Sequence, residues 1–168
     1  MQYGSKFPAA SKGSILSGFL YPLYALRLAN TSSLTGASFG RLRSLVISFE
    51  PNGTPDIAVH FQVVRASGFG YATVITGGKR DPRGRGGFQN GNPDAGLLIA
   101  NTLDSPTTGD LVATGVAHHR GRMKLSWSRR NGPLFGSNSL GFMIFFSPSD
   151  NFSGSVVFDG HAEADITP

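Results

Sequence analysis

The chain contains no cysteine, which removes disulfide scaffolds, thiol catalysis and cysteine-based zinc or iron–sulfur centres. It is also poor in charge: 15% of its 168 residues are Asp, Glu, Lys or Arg, against roughly 25% in soluble proteins at large. With 23 glycines and 10 prolines, that scarcity excludes a helical bundle or coiled coil, because Gly and Pro cost about 1 and 3 kcal/mol in helix interiors. No apolar run is long enough to span a bilayer. The longest near the start, 15–28, is interrupted by Ser17, Gly18, Pro22 and Arg27, so it is not a signal-peptide core either, and a soluble protein is expected. Catalytic signatures are missing as well: there is no HExxH, GxSxG or phosphate-binding P-loop, and no enzyme is expected. What the chain does have is apolar bulk. Hydrophobic residues make up 39% and phenylalanine alone contributes 13, too much for a disordered chain and enough for the core of one domain.

The formal charge of +5 is unevenly laid out. Residues 1–49 hold Lys6, Lys12, Arg27, Arg41 and Arg43 with no acid, and a second acid-free window, 111–149, holds Arg120, Arg122, Lys124, Arg129 and Arg130. From Asp150 onward there are four acids and no Lys or Arg. Such segregation gives regions of opposite potential that would face different partners or one another.

Residues 1–14, MQYGSKFPAASKGS, are small, polar and basic, and are expected to form a mobile arm ahead of a single domain over 15–168. Short apolar runs then alternate with turn chemistry, the pattern of antiparallel strands in a sandwich or barrel. The run 19–28 contains Pro22, which predicts an edge position or a bend. In 43–49, Leu45, Ile47 and Phe49 alternate with Ser44, Val46 and Ser48. Residues 57–64 put Ile57, Val59, Phe61 and Val63 on one face. Further runs lie at 69–76, 97–100, 111–117 and 123–127. The stretch 140–146, LGFMIFF, lacks alternation and should be buried on both faces. In 155–166, Val156, Phe158, Gly160, Ala162, Ala164 and Ile166 should point one way, Val157, Asp159, His161, Glu163 and Asp165 the other. The expected fold is an all-β, eight-stranded antiparallel jelly roll with long Gly/Pro-rich loops. It is not of the metal-binding cupin type, which needs a spaced HxH and a following Glu. The longest loop, 77–94, reads GGKRDPRGRGGFQNGNPD and is expected to hold no regular element.

Two segments resemble a known family. Residues 38–51, SFGRLRSLVISFEP, are similar to the third strand of coat proteins from small icosahedral RNA viruses, in which an aromatic residue, a few bases and an alternating strand run into a Pro turn. Residues 152–168, FSGSVVFDGHAEADITP, resemble the closing strand of the same domains. Within that group the tymovirus-like coat proteins are the nearest. The resemblance implies a non-enzymatic coat protein, located in the virion after assembly in the host cytoplasm. Identical subunits and a single-stranded RNA genome would be its partners, with no membrane and no cofactor, a divalent cation at subunit interfaces being conceivable.

The residues that would carry such contacts are basic. Lys79, Arg80, Arg83 and Arg85 sit on the glycine-rich loop, where RNA phosphates, a neighbouring subunit and plain solvent all remain open as partners. His118, His119, Arg120, Arg122, Lys124, Arg129 and Arg130 form a second group, either a genome-facing or interface patch or a solvated face. Adjacent histidines on a strand would point opposite ways and so make a poor metal pair. Lys6 and Lys12 add charge from the arm. Asp159, His161, Glu163 and Asp165 share one strand face, for which an inter-subunit salt bridge or simple exposure is expected ahead of a calcium site. Trp127, beside bases, could stack a nucleobase, although a sole tryptophan in an apolar run more often joins the core. At +5 per chain, a shell of ~180 copies would carry on the order of 900 charges, so other cations would have to share neutralisation of a genome. The alternative of another class is a carbohydrate- or ligand-binding β-sandwich whose long loops form the site.

Overall fold

Strict alternation makes the last segment of the chain a strand, and that strand organises half of the molecule. In a computed structural model, which describes residues 2–7, 9–28, 39–51, 57–66, 73–79, 97–101, 110–118, 121–136 and 141–167, the elements are strands throughout. They are β1 (Gln2–Lys6), β2 (Ala10–Ile15), β3 (Tyr21–Leu28), β4 (Phe39–Pro51), β5 (Val59–Ala66), β6 (Thr73–Lys79), β7 (Leu97–Asn101), β8 (Asp110–Ala117), β9 (Arg122–Ser126), β10 (Leu134–Gly136), β11 (Gly141–Pro148) and β12 (Phe152–Thr167). No helix among the described residues is long and apolar enough to cross a membrane.

β12 lies between β4 on one side and β1 and β2 on the other, antiparallel to all three. β1 and β2 follow one another along it, from Gln2 opposite Asp165 to Ile15 opposite Phe152, and Phe7 N–H donates to Gly160 O at 2.8 Å where they break. They act as one interrupted strand. β9 and β10 likewise run in succession along the far edge of β4, joined by a turn at 128–132. The opposing sheet runs β7-β3-β11-β5-β8, again antiparallel. Counting β1–β2 and β9–β10 as one strand each and setting β6–β7 aside leaves eight principal strands. Their spatial orders are 1-8-3-6 and 2-7-4-5, the jelly-roll arrangement of two interlocked Greek keys. The β6–β7 hairpin is an addition between the fourth and fifth principal strands. β7 extends the second sheet beyond β3, and β6 reaches across to β1, pairing Lys79 with Tyr3 and Gly78 with Gly4 and joining the two sheets along one flank.

Aromatic rings fill the space between the sheets. Phe158 lies 4.5 Å from Phe146, 6.1 Å from Phe61 in an edge-on arrangement and 6.3 Å from Phe49, while Tyr24 stacks on Phe7 at 4.2 Å. Every residue of β11 from Gly141 to Phe146 is buried, as its unbroken apolar run predicts. Phe142, Ile144 and Phe146 enter the main core, and Met143 and Phe145 pack with Ala25 and Val64 in a second cluster. Pro22 sits where the β3–β11 register shifts, leaving Leu23 without an opposite residue, so the bend expected there is a bulge. Gly160 occupies a core-side position where a Cβ would collide with Val46 O of β4, which explains the gap in the apolar alternation of β12.

Two expectations change. The segment expected as an arm, 1–14, is mostly strand, with Phe7 and Ala10 buried in the core, so it belongs to the domain. Gly77, Gly78 and Lys79, read as loop, end β6, because pairing on both sides satisfies a backbone that their side chains alone would not hold extended. The rest of the 77–94 loop lies outside the described residues.

Candidate nucleic-acid and subunit-contact surface

The outer face of the β12 sheet collects charge in rows set by strand register. Alternation sends Asp159, His161, Glu163 and Asp165 outward, and on β9 it sends Arg122, Lys124 and Ser126 outward while Met123 and Leu125 pack against the core. β4 lies between. Asp159 stands opposite Ser48, which stands opposite Arg122; His161 faces Val46, which faces Lys124; Glu163 faces Ser44, which faces Ser126. With strands ~4.8 Å apart, Asp159 is roughly 10 Å from Arg122 and His161 roughly 10 Å from Lys124, while the row of Glu163 ends at Ser126. The acidic residues and two of the bases predicted from sequence, Arg122 and Lys124, therefore share one face of the sheet.

One acid already has a partner within the chain. A bulge at Glu163/Ala164 leaves Arg43 unmatched on β4, and its Nη1 donates to Asp165 Oδ2 at 2.7 Å, with both side chains about a quarter exposed (26% and 21%). Sequence reading had left Arg43 among general bases, since alternation alone does not reveal the bulge that turns it. Asp159 is held differently: its Oδ1 accepts from Gly160 N–H at 2.8 Å. Its charge and, more strongly, burial push the Tyr24 hydroxyl's pKa well above the usual tyrosine value, and that hydroxyl has no hydrogen-bond partner in the structure. Ser48, Phe49, Glu50, Gly121, Val157 and Asp159 line a cavity of about 340 Å³ on this face, with two carboxylates and no base among the described residues that line it. Among the described residues no three His, Asp or Glu side chains converge as a metal site.

The remaining candidates are dispersed. β8 ends at Ala117, so His118 is in a turn instead of a strand, closed by Gly121 N–H donating to His118 O at 2.7 Å. A Cβ on Gly121 would lie 2.8 Å from that oxygen, so the turn needs glycine. His118 is exposed; His119 and Arg120 lie outside the described residues. Arg129 and Arg130 are exposed on the 128–132 turn, in which Asn131 N–H donates to Ser128 O at 3.1 Å. Trp127, just before it, packs against the core. Lys6 stands opposite His161 on the same sheet, and Lys79 opposite Tyr3. Lys12 pairs with the core-facing Val156, is half-buried, and has its pKa lowered by that burial, which makes it less available than the exposed Arg122, Lys124, Arg129 and Arg130. Arg80, Arg83 and Arg85 lie outside the described residues.

No protein-family model matches the chain, and no curated protein sequence matches it. Among solved structures it is similar to the decameric BFDV capsid protein, with 10% identity and a TM-score of 0.38 over 99% of this chain and 96% of that one. It is also similar to Merkel cell polyomavirus VP1 in complex with disialyllactose, with 9% identity and a TM-score of 0.33 over 98% and 95% of the two chains. A third similarity is to a chain in the structure of Cocksfoot mottle virus, with 8% identity and a TM-score of 0.30 over 96% and 94%.

Proposed function

We propose that this chain is a non-enzymatic viral coat protein, and that its copies form a closed icosahedral shell around a single-stranded RNA genome, assembling in the host cytoplasm. The observation that carries the reading is the division between inside and outside. Rings from both sheets occupy the space between them, while Arg122, Lys124, Arg129, Arg130, Asp159 and His161 are all exposed. A jelly roll with a filled interior works through its outer surfaces. Here those surfaces offer bases to phosphates and a mixed row of acids and bases to other copies. Asp159, His161 and Glu163 are the acids and imidazole we assign to subunit contact, and the β9 bases with Arg129 and Arg130 to subunit or RNA contact. Arg80, Arg83 and Arg85 join the RNA-binding set on the strength of their sequence.

Purified protein examined by electron microscopy and size exclusion, with and without single-stranded RNA, tests this reading. Closed particles, or assembly on adding RNA, are expected, with RNA preferred over single-stranded DNA of the same length. A chain that stays monomeric and ignores RNA across salt concentrations overturns the reading, and retention on immobilised glycans would then favour the ligand-binding alternative. In binding titrations, replacing Arg122, Lys124, Arg129 and Arg130 with Ala should flatten the dependence of log K on log salt by about 0.7 for each base that contacts phosphate. An unchanged slope removes these four from the genome interface.

A further inference from the structure

Three strand edges are open among the described residues: β2 pairs only with β12, β8 only with β5, and β9–β10 only with β4. An open edge is a row of unpaired N–H and C=O groups, which proteins usually guard with charge, proline or irregular backbone. β2 is guarded by Lys12, Gly13 and Ser14, the last at a φ of 53°. β9–β10 is guarded by Arg122, Lys124 and the turn that divides it. β8, DLVATGVA, runs for 8 residues with no Lys, Arg or Pro, and its one irregularity, a bulge at Val112, leaves Ala113 to Ala117 regularly paired to β5. Two of its outward side chains are apolar and in solvent, Leu111 at 56% and Val116 at 41% exposure.

We propose that the β8 edge is where two copies of this chain meet, the two strands pairing antiparallel about a two-fold axis at Thr114. The inference rests on the shell reading for the identity of the partner, a second copy, and goes beyond it in naming the contact. Register supports it. Val63 stands opposite Ala113 and Val64 opposite Leu111, so Val112 is an extra, bulged residue. That extra residue puts Leu111 on the same outward face as Thr114 and Val116, despite its odd spacing. With Thr114 opposite the partner's Thr114, Leu111 comes opposite the partner's Val116, and symmetry repeats the pair. Two exposed apolar side chains in each copy are thereby covered by each other. The ends match in charge chemistry too: Asp110, which reaches Arg65 of its own chain at 3.9 Å but keeps its side chain 83% exposed, comes near the partner's His118. An isologous contact needs such self-complementarity, and neither guarded edge provides it.

The absence of cysteine makes the test clean. Thr114→Cys places one thiol per chain on the proposed axis, where directly opposed Cβ atoms come within about 5 Å of each other, near the span of a disulfide. Oxidation with diamide should convert most of the protein to covalent dimer, at least fivefold more than Val157→Cys, an exposed control on the other sheet. Leu111→Lys combined with Val116→Lys should weaken dimerisation at least tenfold in sedimentation experiments, with circular dichroism and the urea midpoint unchanged. Equal cross-linking at positions 114 and 157, or self-association unaffected by the two lysines, overturns the proposal. Closed particles without a Thr114→Cys cross-link would refute this contact and leave the shell standing; cross-linked dimers that never form particles would do the reverse.

Discussion

Val157 and Phe158 are adjacent on β12, and their opposite orientations give two very different expected costs. Phe158 is fully buried, with its ring centroid 4.5, 6.1 and 6.3 Å from those of Phe146, Phe61 and Phe49, so truncation to Ala removes the hub of four rings contributed by four strands. Phe→Ala at such sites costs about 3–5 kcal/mol, and because neighbours on fixed strands collapse poorly into the void we expect about 4 kcal/mol. Val157, 42% exposed on the outer face, should lose about 0.5 kcal/mol or less on truncation, most of it strand preference. Phe158→Leu, which keeps much of the volume, should cost about 1.5 kcal/mol. For a chain of this length each kcal/mol is roughly 2–4 °C in Tm, so Phe158→Ala should melt roughly 8–16 °C below the parent. Urea unfolding of the unassembled full chain, followed by the fluorescence of Trp127, measures all three, since that sole tryptophan is packed against the core. A loss below about 1.5 kcal/mol for Phe158→Ala, or an equal loss for Val157→Ala, would refute the register, because a one-residue slip exchanges the two faces of a strand.

Tyr24→Phe should stabilise the fold by about 1 kcal/mol, because it removes a buried hydroxyl that has no partner. The parent should also lose stability as pH rises above the ordinary tyrosine range, since the unfolded chain releases that proton where the folded chain, with its raised pKa, retains it; Tyr24→Phe abolishes this share. A destabilised Tyr24→Phe, or an unchanged alkaline limb in its unfolding curve, counts against the buried placement. A double-mutant cycle on Arg43→Ala and Asp165→Asn should give a coupling of about 1 kcal/mol, moderated by partial exposure and falling with salt. Additive effects in that cycle would show that the pair contributes nothing to folding.

The strands that carry a clear period could be read directly. β12 and β4 alternate as their residues predict, and the continuous apolar run of β11 meant burial on both sides. β1 and β2 could not be read in the same way, because their small polar residues have little strand preference and are held extended by partners about 140–160 positions away. The signal that existed was sparse: Phe7, Ala10 and Ile15, the residues that turn out to be buried. The acidic face was legible from β12 alone. Its neighbourhood was not, since the opposition of Asp159 to Arg122 across Ser48 and the Arg43–Asp165 pair depend on strand order and on a bulge. A charge pattern along a chain says which residues share a strand face and is silent on which strands lie side by side.

The central position of β12 also constrains how the domain comes into being. It is the last of the twelve described strands to be synthesised, yet β4 on one side and β1 and β2 on the other bond to it and not to each other. Until it arrives, one layer of the sandwich has no middle, and β1, β2 and β4 wait for it with their facing edges bare. Pairings as distant as Gln2 with Asp165 close late and slowly, so a nascent chain should be prone to aggregate and this domain should complete its fold only once β12 has emerged. Nothing resembling the finished outer face of this sheet exists until that strand is in place.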